Sequence, residues 1–317
     1  MHDIQGRAKW FWNKARRRAA GSFYRRFFRE SNHDLSQTIL LAGAARSGTS
    51  WLAELISSQL SCRIMFEPFN WEQVDVYRHH FPDFQYKRVD ERDPALREYA
   101  NRVFRGHIRH PWIDREVNRL RTDQRLIKEV RANLFLKWLN QAFPQVPLLF
   151  IIRHPCAVVL SHLEAGWTGD QDIAAFLSQP ALLSDYLTDR LDIIHGAETR
   201  EAKLAVAWSI QQIVPRSQFE AQALNVVFYE TLCREPQAEI CRLFEALRRP
   251  YTESVFEQLD TPSRMTSPTS AVLTGEDRVS RWLQRLSREQ VRQILEIVAA
   301  FDLDDIYGEA AMPLGPF

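Results

Sequence analysis

The sequence predicts an α/β domain: a doubly wound parallel sheet with helices on both faces. Three observations carry that reading. Short apolar runs rich in branched residues alternate with longer helical patterns, as parallel crossovers require. One run, residues 146–152, contains no polar residue, the pattern of a strand buried on both faces. The segments richest in Gly, Ser, Arg and Glu fall where strands end, where ligands of such sheets bind. A chain of 317 residues, 45% hydrophobic, has material for one large core or two modest ones.

The elements follow in order. Residues 37–42 read as a strand and 49–60 as a helix, with apolar residues at Leu52, Leu55, Ile56 and Leu60. Residues 63–66 form a second short strand, ended by Glu67-Pro68. Residues 70–124 show weak periodicity and read as an insertion that walls a substrate site. A strand at 125–130 leads into a helix through 140. After the run at 146–152, residues 154–163 read as a helix with Pro155 in its first turn. Helices fill 171–220, a strand lies at 224–228 and a helix at 231–247. A Ser/Thr/Pro-rich loop, 261–275, precedes a final helical pair around Trp282 and 288–301.

Two stretches carry candidate chemistry. "GAARSGTSWL", residues 43–52, joins the first strand to its helix and has the glycine spacing of a phosphate loop. The nucleotide-triphosphatase lysine is absent: Gly48 is followed by Thr49 and Ser50, and the cation is Arg46. Backbone N–H groups at such a helix start favour an anion, and the hydroxyls of Ser47, Thr49 and Ser50 add donors. "FIIRHPCAVVLSHL", residues 150–163, places Arg153 at a strand end and Ser161 eight residues on, roughly 12 Å along a helix. Both can serve one phosphate only if strand end and helix fold back around it. Alone, the pair reads as a capped strand and a surface serine.

Together the two stretches resemble sulfotransferases that use 3'-phosphoadenosine 5'-phosphosulfate (PAPS). The resemblance covers about residues 37–310. It implies that Arg46, Ser47, Gly48, Thr49 and Ser50 form a P-loop-like phosphosulfate loop, and that Arg153 and Ser161 hold the 3'-phosphate. "VVFYETLCREP", residues 226–236, is similar to the family strand whose tyrosine lies near the adenine, which implicates Tyr229. Trp51 matches an aromatic against the same base, and "RWLQRLSREQ", residues 281–290, looks like the C-terminal tryptophan segment. The implied product is 3'-phosphoadenosine 5'-phosphate (PAP), with no metal, and the implied activity is sulfuryl transfer by in-line displacement.

Transfer to a hydroxyl needs a base in line with the departing phosphate. The phenol and steroid enzymes of the family place a histidine in a Lys-Thr-His strand. The matching stretch here, "LIKEVRANLF", residues 126–135, keeps Lys128 but has Val130 at the histidine position. Its Lys-x-Val-Arg pattern, with the Glu-Pro of "MFEPFN", residues 65–70, looks like carbohydrate (N-acetylglucosamine-type) and bacterial glycolipid sulfotransferases. That resemblance makes Glu67 the first candidate base. Glu129 and His107 are the reserves, and strand alternation turns Glu129 away from Lys128. Lys128 is the candidate for the transferring group, and Arg131 for substrate or the 3'-phosphate. The family's C-terminal Arg-Lys-Gly is missing; Arg278 and Arg281 are substitutes. The expected acceptor is a hydroxyl of a sugar, glycan or glycolipid. A small hydroxylated metabolite, a P-loop kinase-like phosphotransferase and a non-catalytic scaffold are the alternatives.

Residues 1–36 form a basic aromatic segment ahead of a sulfotransferase domain at 37–317. The first thirty residues hold nine basic against two acidic side chains, a surplus of seven, which leaves the rest at −6 from a total of +1. Basic residues interleaved with Trp10, Phe11, Trp12, Phe23, Tyr24, Phe27 and Phe28 suit an anionic membrane surface or a helix packed on the domain. No recognition module for nucleic acid follows. No apolar run spans a bilayer and no secretory signal is evident. Cys62, Cys156, Cys233 and Cys241 are widely spaced and read as buried free thiols. Cytoplasmic placement, with peripheral contact at the inner membrane face, is the expectation.

Overall fold

The computed structural model describes residues 23–263 and 271–317. The central sheet has five parallel strands: β1 (Thr38–Ala42), β2 (Arg63–Phe66), β3 (Arg125–Glu129), β4 (Leu148–Ile152) and β5 (Asn225–Phe228). Their order is β2-β3-β1-β4-β5, so the chain reverses direction across the sheet beside β1. That reversal opens a crevice at the carboxyl ends of β1 and β4. Every residue of β1 and β4 is buried, as the unbroken apolar runs require.

Helices cover both faces. On one face, α1 (Thr49–Leu60) sets Leu52, Leu55, Ile56 and Leu60 against Ile39, Leu41 and Ile151. On the other, α2 (Pro94–Phe104) and α3 (Leu136–Ala142) pack on Leu40, Ile127 and Phe150. Farther along, α4 (Pro155–Glu164) and α5 (Arg200–Gln218) form a third packed body, to which α7 (Arg288–Ala300) adds Ile294 and Val298. His154 caps α4 through Cys156 N and stacks on Trp282 at 4.3 Å, which ties the C-terminal segment to the end of β4.

Three expectations need correction. The stretch 70–124 holds an 11-residue helix, α2, whose start signal is explicit: Asp93 caps Leu96 N and Pro94 occupies the first turn. The single helix expected over 231–247 is two, Tyr229–Arg234 and α6 (Pro236–Leu247), because Pro236 has no N–H to continue the ladder. The four cysteines are free, yet only Cys62 and Cys156 are buried; Cys233 and Cys241 are half-exposed. Residues 29–36 run along the domain. Arg29–Glu30 pairs in parallel with Arg121–Thr122, and Glu30 reaches into the base of the sheet. Part of the basic segment, residues 1–22, and part of the 261–275 loop lie outside the described residues.

Candidate active site

A cavity of about 370 Å³ opens at the carboxyl ends of the strands. The loop after β1 forms its floor. A Cβ at Gly43 would lie 2.3 Å from Ile151 O, so the loop can cross β4 closely only as glycine. Gly48, at φ 96°, caps α1, and a Cβ there would meet the Tyr229 ring at 2.6 Å. That contact seats Tyr229 beneath the loop, edge-on to Trp51 at 5.5 Å. Of the seven non-glycine residues with positive φ among those described, Arg46, Glu67 and Phe84 line the cavity. Such strain persists where packing over-determines it, and functional sites are where it collects.

One half of the cavity is an incompletely matched set of cations. At φ 69°, Arg46 turns its guanidinium across the cavity, and Nε donates to Ser161 Oγ at 2.9 Å. Arg153 lies 4.2 Å above the Tyr229 ring and donates to the carbonyls of Arg46 (3.2 Å) and Arg278 (3.0 Å). Its Nε is buried with no partner, and neither arginine forms an ion pair among the described residues. Burial, then the neighbouring Arg153 charge, lowers the pKa of Arg46. Arg278 and Arg281 also line the cavity, but Arg281 is matched by Glu164 and Glu276 and Arg278 by Asp260. Arg46 thus faces Ser161, the residue paired in sequence with Arg153, rather than standing alone in its loop. Arg153 and Ser161 both line the cavity, and Arg46 is bonded to each of them.

The other half holds Glu67 and Lys128. Parallel register continues past β2, with Glu67 N donating to Lys128 O at 2.8 Å, and the two side chains meet as a nearly buried ion pair. Asn70 Nδ2 donates to the second Glu67 oxygen at 2.9 Å, and Lys128 Nζ sits 4.5 Å over the Phe66 ring. Asn70 went unnoticed in the sequence, although an i,i+3 amide after a strand-end glutamate is a readable signal. Arg131 lines this half too, paired with Asp83 and Glu72.

The reserves lie elsewhere. Glu129 is fully buried and accepts from the N–H groups of Phe69, Val130 and Arg131, so it ties the strand end together outside the cavity. Burial, then the Glu67 charge, raises its carboxyl to about 7. His107 is exposed, 4.6 Å from the His33 ring and away from the cavity. Thr49, Ser50, Trp51 and Tyr229 line the cavity, and Ser47, outside that lining, has a buried Oγ without a hydrogen-bond partner.

A family model described as "Sulfotransferase family" matches residues 38–253, from β1 past α6. The chain belongs to the sulfotransferase family. Its fold, a parallel sheet flanked by helices, agrees with that membership, and the enzyme moves a sulfuryl group. No curated protein matches the sequence significantly. Among solved structures, similar chains include a sulfotransferase domain from the curacin biosynthetic pathway, at 14% identity and TM-score 0.46, over 83% of this chain and 96% of that one. Mouse sulfotransferase SULT7A1 complexed with PAP is similar at 15% identity and TM-score 0.42, over 86% and 84%. Sulfotransferase STF9 from Mycobacterium avium is similar at 14% and 0.45, over 88% and 79%. In this sulfotransferase the candidate residues from the loop to Tyr229 fall within the segment 38–253 that the family model spans.

Proposed function

We propose that the enzyme transfers a sulfuryl group from PAPS to a hydroxyl of a sugar, glycan or glycolipid. The observation that carries the donor is Arg46 and Arg153, two half-buried guanidiniums lining one cavity and acting on each other, Arg46 bonded to Ser161 and Arg153 to backbone carbonyls. Like charges held together out of water call for an anion of high charge. A buried, unpartnered Nε on Arg153 fits a phosphate ligand rather than a solvated surface.

PAPS brings the sulfuryl group and leaves as PAP. Arg153 and Ser161 hold the 3'-phosphate, and Arg46, beside Ser161, stabilises the departing 5'-phosphate. The opening amides of α1 have no helical acceptor and, with the hydroxyls of Thr49 and Ser50, face the 5' end. Trp51 and Tyr229 flank the base. Glu67 removes the acceptor proton at a carboxylate oxygen, with Asn70 fixing the carboxylate plane. Lys128 pairs with Glu67 and supplies positive charge beside the position where the leaving oxygen develops negative charge. The sugar or glycolipid assignment rests on the Glu-Pro and Lys-x-Val-Arg patterns. Exposed Phe23 and Phe27, on a short helix bearing Arg25 and Arg26, support peripheral contact with an anionic membrane where a glycolipid would lie.

The test is titration calorimetry with PAP on the wild type and Arg153→Ala, alongside transfer from labelled PAPS to a glycan panel. PAP should bind with no added metal, and the variant should weaken it by roughly tenfold or more. Absence of PAP binding by the folded wild type sinks the reading.

A further inference from the structure

Two short segments, residues 23–30 and 118–123, run side by side at the amino ends of β2 and β3. Arg29–Glu30 pairs in parallel with Arg121–Thr122, and Arg29 N donates to Leu120 O at 2.8 Å. That register sets Arg29 against Arg121, and both side chains are exposed. Like charges directly opposite in a ladder are destabilising, and an anionic partner relieves them. Arg26 and Arg119, on the same two segments, are exposed as well. None of the four makes a side-chain hydrogen bond or ion pair among the described residues.

The chain offers these arginines too little counter-charge. Glu30 is bound by Arg63 and Arg125, and the neighbouring Asp114 by Arg63 and Arg109. Asp123 is the remaining carboxylate of the two segments, one against four. Residues 1–22 hold six basic side chains against Asp3 alone, and residues 264–270 hold no acid. Apolar side chains stand among the arginines. Phe23 and Phe27 are 55% and 53% exposed, with ring centroids 4.9 Å apart, and Leu120 is 48% exposed. Unmatched charge and uncovered hydrocarbon thus occupy the same two segments.

We infer that the folded domain itself docks on an anionic lipid membrane, with Arg119, Leu120 and Arg121 joining residues 23–29 in the contact. The inference extends peripheral contact from the N-terminal segment to the body of the enzyme, and it rests on no assignment of donor or acceptor. Guanidiniums meet the lipid phosphates and carboxylates, while the two rings and the leucine enter the interface below the headgroups. A nucleic acid or acidic polysaccharide would use the same arginines but has no apolar phase to take up Leu120 and the phenylalanines. The cavity opens at the other, carboxyl ends of the strands, so docking leaves it uncovered.

The experiment sediments the full-length protein with vesicles of phosphatidylcholine alone and of phosphatidylcholine mixed with phosphatidylserine. It compares wild type with two double variants, Arg119→Gln with Arg121→Gln, and Phe23→Ser with Phe27→Ser. The wild type should bind the anionic vesicles, less so at high salt, and leave the neutral ones in solution. Each arginine at such a surface is worth about fivefold, so the arginine variant should bind at least about tenfold more weakly. Loss of the two rings should also weaken binding, by about tenfold. Both variants should keep the wild-type melting temperature, because all four side chains are exposed. Unchanged vesicle binding by the arginine variant would assign attachment to the N-terminal segment alone and overturn the inference. So would equal binding to neutral vesicles, no binding at all, or tighter binding to a single-stranded oligonucleotide than to the anionic vesicles.

Discussion

β2 and β3 each begin with an arginine and end beside a charged pair, and the two ends of these strands are built in opposite ways. At the amino ends, Arg63 and Arg125 are fully buried and saturated. Arg63 spends all five donors on Asp114, Glu30 and the carbonyls of Gly106 and Ile108. Arg125 meets Glu30, Thr38 and the carbonyls of Asn32, Asp34 and Phe104. Gly106, at φ 70°, is needed there because a Cβ would overlap the Glu30 carboxylate at 2.1 Å. At the carboxyl ends the charges are left short of partners and open to a cavity. A buried charge with every bond made is structure; a buried charge with bonds to spare is a binding site.

Changes at each end should break different properties. The largest effect belongs to Glu67→Gln, which should lower kcat by about 10²- to 10⁴-fold, the usual worth of a positioned base, while PAP affinity holds and the melting temperature falls because Lys128 loses its buried counter-charge. Single-turnover transfer and calorimetry together would read it, and a variant with near-normal kcat would move the base elsewhere. Glu30→Ala should do the reverse: cost about 3–5 kcal/mol of stability by stranding Arg63 and Arg125, with kcat per folded molecule little changed. Urea unfolding measures that cost, and a loss below about 1 kcal/mol would mean the amino end is not the closed network described.

Gly48→Ala sits at the boundary between donor loop and strand end. Its Cβ would push on Tyr229 at a backbone angle that alanine resists, so PAP affinity should drop by about tenfold with a modest loss in melting temperature. A further expected effect concerns pH. Burial pushes His154 down to about 4 from 6.5, so the unfolded chain binds a proton there that the folded chain refuses. Stability is therefore lost progressively as pH falls from 6.5 towards 4, at about 1.4 kcal/mol per pH unit for one proton. His154→Asn replaces the capping ring nitrogen with an amide oxygen and should reduce proton uptake on unfolding across that window by about one. An unchanged slope would place the acid sensitivity in His162 or elsewhere.

Much of this was legible in the sequence because the signals are local. The strand-loop-helix of residues 38–60 follows from an apolar run, two glycines and helical spacing, and the structure places it there almost residue for residue. Glu67 and Lys128 were readable as strand-end residues, and their side chains meet. Helix α2 was missed although Asp93-Pro94 announces its start, because its charged face obscures the period. Ser47 was assigned by its type, whereas the turn that buries it depends on how α1 meets β1.

What the sequence by itself determined is the order of strands and helices, the family, and the residue types available at each strand end. Periodicity, turn chemistry and motif spacing act over a few residues and survive without a fold. Only the tertiary structure decided which charges are satisfied. Arg63 and Arg153 are both arginines at strand ends, and nothing local separates them. Arg63 is closed off by Glu30, Asp114 and two carbonyls brought from 33 to 51 residues away, while Arg153 is left with backbone carbonyls and an unpartnered Nε. Long-range pairing of buried charge is a property of the packed molecule, and that pairing separates the framework of this enzyme from its site.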